Sequence, residues 1–116
     1  MINFFVDGTP YAKQSFRYAR KAGYGYQKKS VIDWQSAIAQ TARISYNGDP
    51  IQSELYVKLT FYVKVDRADL DNLTKAVLDA MQGIIYENDK QIMRLFITKI
   101  PKSDRTGVDI KIAELK

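Results

Sequence analysis

Residues 55–65 alternate without a break. Leu55, Val57, Leu59, Phe61, Val63 and Val65 are apolar, and Tyr56, Lys58, Thr60, Tyr62 and Lys64 stand between them. Successive strand side chains point to opposite faces, so this segment reads as a half-buried β-strand with one face toward a core. Whatever else the chain does, it has to cover that face. The covering elements are legible on either side. Residues 30–46 predict a helix, with Val31, Trp34, Ile38 and Ala42 at helical spacing and Asn47-Gly48 as its stop. Ser30 with Asp33 three residues on resembles a capping box. A second helix is expected over 71–82, where Leu73, Val77, Ala80 and Met81 form one stripe and Gly83 follows as the C′ residue. Residues 2–6 read as a strand ended by Asp7-Gly8. Residues 93–100 and 107–115 read as two more, joined through Pro101 to Thr106. Trp34 is read as a core residue rather than a ligand.

The order β-α-β-α-β-β describes one small α/β (α+β) domain over residues 1–116, with a mixed sheet of about four strands and two main helices. The size agrees. The chain has 116 residues, 46% hydrophobic and 27% charged, the proportions of a single globular domain. Residues 1–6 are apolar, but Asp7 and Gly8 cut the run too short for a leader or a membrane span. The expectation is a cytoplasmic protein with no membrane partner.

Two residue types are missing, and their absence removes whole chemistries. Without cysteine there are no disulfides, zinc ribbons or thiol nucleophiles. Without histidine there is no imidazole base and no Ser-His triad. Acid–base or metal chemistry here must run on Asp, Glu, Lys, Tyr or bound water. A metal would be a hard cation held by oxygen, magnesium or manganese rather than zinc.

The net charge of +5 is unevenly spread. From Tyr11 to Ile32 there is no acid, but there are Lys13, Arg17, Arg20, Lys21, Lys28 and Lys29, interleaved with Tyr11, Phe16, Tyr18, Tyr24 and Tyr26. Residues 8–29 read as a long basic loop, broken by Gly23 and Gly25. Its cations can neutralise phosphates while its aromatic rings stack on bases or sugars. The plainer reading is a solvated loop whose tyrosines pack on the core.

The acids gather elsewhere, in Asp66, Asp69, Asp71, Asp79, Glu87 and Asp89. Asp69 and Asp71 are two apart where a strand gives way to a helix, so both carboxylates can face one point. Lys75 and Asp79 continue the helix face that holds Asp71. A crossing return of the chain could bring Asp89 beside Asp69 and Asp71. Clustered carboxylates repel one another unless a cation joins them. Magnesium held by one or two carboxylates keeps positions open for water and phosphate. Lys75 could then stabilise charge on a phosphoryl transition state. The plainer reading makes Asp71 a helix cap, Lys75 and Asp79 a surface pair, and Glu87-Asn88-Asp89 a turn.

Arg67, Asp69-Leu70-Asp71-Asn72-Leu73, Lys75, Ala76, Leu78-Asp79-Ala80, Gly83, Asp89 and Gln91-Ile92 together resemble the RusA-type Holliday junction resolvases, common in phages and prophages. Pro10, Lys13-Gln14 and Arg17 resemble the proline-lysine-arginine loop of phage members, and the likeness runs along nearly the whole chain. The resemblance implies a homodimeric endonuclease dependent on Mg2+ or Mn2+. It would cut branched, four-way DNA by paired symmetric incisions, in recombination and repair, with no small-molecule cofactor. Carried over position by position, Asp69, Asp71 and Asp89 would bind the metal. Lys75 would complete the catalytic set, and Asp79 is secondary. Lys13, Gln14, Arg17, Arg20, Lys21, Lys28 and Lys29 are the candidate DNA contacts. One departure stands out: the family's turn usually reads Asp-Asp, and here it is Asn88-Asp89, so Glu87 is a possible substitute ligand. The alternatives are a non-catalytic nucleic-acid-binding module, whose acids are caps and surface pairs, and a structure-selective nuclease of broader range.

Overall fold

A computed structural model describes residues 1–13 and 28–115. The elements are β1 (Ile2–Asp7), α1 (Lys29–Ser45), β2 (Leu55–Tyr62), α2 (Leu70–Met81), β3 (Ile92–Ile100) and β4 (Gly107–Glu114). A short 3-10 turn over Asp89–Gln91 precedes β3. The expected order of strands and helices is the observed one. The four strands form one mixed sheet in the order β1-β4-β2-β3.

β2 is central because its alternation lets it pair on both sides while burying one face. Leu55, Val57, Leu59 and Phe61 are fully buried. The strand pairs antiparallel with β4 and parallel with β3. Val108, Ile110 and Ile112 of β4 and Phe4 and Val6 of β1 extend the same buried face. Both helices cover it. α1 contributes Val31, Trp34, Ile38 and Ala42, and α2 contributes Leu73, Ala76, Val77 and Met81. Trp34 is a core residue, as its spacing predicts. Each such fully buried aliphatic side chain contributes about 1.5–3 kcal/mol, so the face of β2 and the stripes facing it dominate stability. Gln35 ties the helices together by donating its side-chain amide to the Ala76 carbonyl at 3.0 Å.

The helix ends show one agreement and one correction. Gly83 follows α2 with a φ of 85°, the left-handed conformation that suits a glycine at C′. Ser30, however, is not the cap of α1. The helix begins at Lys29, Lys28 holds the boundary position without a side-chain cap, and no acid lies in the first turn. The amides of Val31 and Ile32 instead bond back to the Lys28 carbonyl, which pulls the start one residue earlier and leaves Ser30 inside the first turn.

β2 and β3 run parallel, so the chain must return across the sheet between them, and α2 is that return. This sets the two ends of α2 apart. Its N-terminus lies where β2 exits the sheet, and its C-terminus leads back to the level of Leu55, the residue opposite Ile92.

Candidate active site

The turn from β2 into α2 carries Asp66, Arg67, Ala68 and Asp69. It is fastened by Lys99 of β3, whose ammonium sits 2.6 Å from Asp66 Oδ1 and donates to the Ala68 carbonyl at 2.8 Å. Asp69 occupies the N-cap position of α2, yet its side chain makes no cap hydrogen bond. An Asp at this position ordinarily spends its carboxylate on the first free amides. Here Asp69 and Asp71 are both exposed, and among the described residues neither has an ion-pair partner. Both lie at the positive end of the helix macrodipole, outside the carboxyl end of a parallel strand, the usual place for ligands in α/β sheets.

Lys75 lies one turn further along α2 and is exposed. Asp79 does not take it as a surface pair. Asp79 is joined to Lys13 instead, with Nζ and Oδ2 2.5 Å apart. Among the described residues, then, Lys75 is in no ion pair. The Lys13 amide also donates to the Asn72 carbonyl at 3.1 Å, so Lys13 is tied to α2 at two points.

Asp89 is built differently. Its amide donates to Gln82 Oε1 at 3.1 Å, which seats it against the C-terminal end of α2. The return of the chain therefore fastens the Asp89 backbone to the residue that follows α2. Among the described residues, no three acidic side chains lie close enough together to hold a metal ion.

Asn88 takes a defined structural role. Its side chain accepts from the Lys90 amide at 2.9 Å, and its own amide donates to Gln91 Oε1 at 2.8 Å. This closes a capping box around the 3-10 turn. Gln91 also donates to the carbonyls of Ile51 and Ser53. An aspartate at 88 could make the same cap, so the departure at Asn88 keeps the geometry of the turn. Glu87 accepts from Gln52 Nε2 at 3.2 Å, whereas among the described residues the Asp89 carboxylate is in no ion pair.

Sequence reasoning missed Tyr86. Its hydroxyl donates to the Leu78 carbonyl at 2.6 Å from a fully buried ring. Burial, and then the negative charges of Asp89 and Asp79, hold the phenol protonated well above the ordinary tyrosine range. Both acids thus act on one hydroxyl beneath the C-terminal half of α2. Nothing in local spacing announces this, because the three residues meet only through the helix and the turn after it.

Gln14, Arg17, Arg20 and Lys21 lie outside the described residues, as do Phe16, Tyr18, Tyr24 and Tyr26. Lys28 and Lys29 are exposed at the start of α1, where the macrodipole disfavours cations. A polyanion would offset that placement. No helix among the described residues is long and apolar enough to cross a membrane.

Residues 7–113 match the family described as Endodeoxyribonuclease RusA. The chain is also 30% identical over 115 residues to the Crossover junction endodeoxyribonuclease RusA of Aquifex aeolicus (strain VF5), covering 96% of this chain and 90% of that protein. The DLDN turn, the lysine one helical turn on and the capped turn before β3 all fall within the matched span, and the chain belongs to the RusA endodeoxyribonuclease family.

Proposed function

We propose that this chain is a Holliday junction resolvase: an endonuclease that hydrolyses phosphodiesters of four-way DNA in paired cuts, with Mg2+ or Mn2+ and as a homodimer. Family membership supports the nuclease activity, and the relative's name supports the crossover-junction substrate. The observation that carries the site is Asp69. It stands at a helix N-cap with its carboxylate unspent on capping, two residues from an equally exposed Asp71.

The donor set fits a hard cation. Asp69 and Asp71 offer oxygen only, and two carboxylates suffice for magnesium when water and substrate phosphate fill the other positions. When bound, the metal would supply Lewis-acid stabilisation of the phosphate and a more acidic water. Lys75, in no ion pair among the described residues, would place its ammonium against the charge that develops on the phosphoryl oxygens. Lys99 holds the turn so that Asp69 keeps its position. Asp89, whose backbone is held by Gln82, enters as the third carboxylate. Its part is tested on its own, by comparing Asp89→Asn with Asp71→Asn.

Gln14, Arg17, Arg20, Lys21, Lys28 and Lys29 would follow the phosphate backbone, with Lys13 as the anchor of that segment. The plainer reading of the basic loop and the acids, a binding module without catalysis, predicts binding without metal-dependent cutting.

Two cuts related by symmetry call for two sites on one axis, which an isologous dimer supplies. The edge strand β3 supports this: Met93 and Phe96 are 53% and 54% exposed along an open strand edge. A second copy paired along that open edge would cover both residues. A monomeric mass in solution for the DNA-bound enzyme would contradict the dimer. The experiment for the whole reading is metal-dependent cutting of a synthetic four-way junction beside linear duplex and a single-strand flap.

A further inference from the structure

A cavity of about 470 Å³ lies beside the turn that carries Asp69. One wall is Ala68 and Leu73, from the turn and the first turns of α2. The other is Thr9–Ala12, the segment that Lys13 fastens to Asn72 and Asp79. The floor is apolar, with Pro10 and Val63 buried. The rim is not. Tyr11 is 42% exposed at the mouth, and Lys64 and Arg67 are exposed there, with no ion-pair partner among the described residues.

We propose that this cavity receives one unstacked nucleobase of the strand being cut, with Tyr11 stacking on the base and Arg67 and Lys64 holding the flanking phosphates, so that it biases which nucleotide step is cleaved. The proposal rests on the nuclease reading above. Three observations select this occupant. An apolar slot with an aromatic lip suits the face of a base, because aromatic rings stack on any of the four. Two cations at the same mouth, Lys64 and Arg67, in no ion pair among the described residues, suit the phosphates on either side of it. Ala68 places the slot one residue from Asp69, so a base held there belongs to a nucleotide next to the scissile bond.

The substrate makes the cost low. Drawing a base out costs least where its stacking is already broken, as at the exchange point of a junction opened so that its arms no longer stack on one another. The slot itself is already formed, because the Lys13 contacts hold Thr9–Ala12 in place and Lys99 holds Ala68. Little ordering is therefore left to do on binding.

The test is photocrosslinking in chelator, where binding is read without cutting. Four-way junctions carry a single 5-iodouracil or 8-bromoguanine at each position around the exchange point in turn. One position is expected to crosslink to Tyr11 about tenfold or more above its neighbours, as a single stacked base would. Tyr11→Ala is expected to lose that crosslink and to spread the cut sites more evenly once metal is added. Tyr11→Phe keeps the ring and is expected to restore both. Crosslinks spread evenly along the arms, or a cut-site distribution unchanged in Tyr11→Ala, would overturn the proposal. Failure of the wild type to cut any junction would instead count against the resolvase reading, and the crosslink would still report on the cavity.

Discussion

The Lys99 ammonium donates at 2.8 Å to the carbonyl of Ala68, the residue that precedes Asp69. A side chain of the edge strand thereby fixes the backbone from which the first site carboxylate projects. Lys99→Met keeps much of the aliphatic length and removes the donor. Stability is expected to fall by only about 1 kcal/mol, because the Asp66 partner is largely solvated. Cleavage is expected to fall more than that loss explains, since a carboxylate displaced by about 1 Å no longer holds its geometry. Parallel thermal melts and cleavage rates check this. A cleavage loss no larger than the loss of folded protein would remove Lys99 from the site's support.

Asn88 caps the turn that carries Asp89. Asn88→Asp is expected to leave melting and cleavage close to wild type, because Asp caps about as well as Asn. Asn88→Ala loses the cap, at a cost of about 1 kcal/mol, and loosens Asp89 without touching its carboxylate. Equal cleavage by Asn88→Ala and wild type at a temperature where both are folded would show that the turn's rigidity is irrelevant to activity.

Lys13 is already committed to Asp79. Lys13→Ala should therefore change the salt slope of junction binding by well under one unit, whereas Arg17→Ala should lower it by about one. A double-mutant cycle of Lys13→Ala with Asp79→Asn is expected to give a coupling of about 0.5–1 kcal/mol, typical of a partly exposed pair. Additive stability effects would dissolve the tether.

Tyr86 sets an alkaline limit. Its phenol is held protonated in the folded protein, by burial first and by Asp89 and Asp79 second. The raised folded value means the stability is present in full below the unfolded tyrosine pKa of about 10 and is lost as pH rises above it. The slope there is expected to steepen by up to about 1.4 kcal/mol per pH unit. Tyr86→Phe should remove that steepening while costing about 1 kcal/mol at neutral pH for the hydrogen bond to Leu78. Identical alkaline slopes for the two proteins would contradict the account of this residue.

Much of the fold was legible because β2 states its own burial. The alternation from Leu55 onward marks strand and core face together, and Leu73, Val77 and Met81 mark the helix that returns over it. The predicted strand ran to Val65, but β2 ends at Tyr62, although the Val63 amide still bonds to the Ile100 carbonyl. Pattern reports which face is apolar, not where pairing stops. Strand order was not legible, since the parallel pairing of β2 with β3 depends on contacts far apart in sequence. For Asp89, spacing shows that a return occurs, and only the fold shows that its backbone ends on the Gln82 side chain. The Asp69–Asp71 pair needed no such knowledge, because two residues at a strand-to-helix turn are positioned locally.

The most direct test is cleavage of a synthetic mobile four-way junction, with linear duplex and a flap of matched sequence as controls. It would be run in magnesium, manganese or chelator, with wild type and Asp71→Asn. Symmetric paired nicks on the junction are expected for wild type in either metal and none in chelator. Asp71→Asn should lower the rate by at least about a hundredfold, the scale of removing one preorganised charge from such a site. Its junction binding should be retained or tightened, because a negative charge facing phosphate is gone. Undiminished metal-dependent cutting by a folded Asp71→Asn protein would contradict the site at the β2–α2 turn.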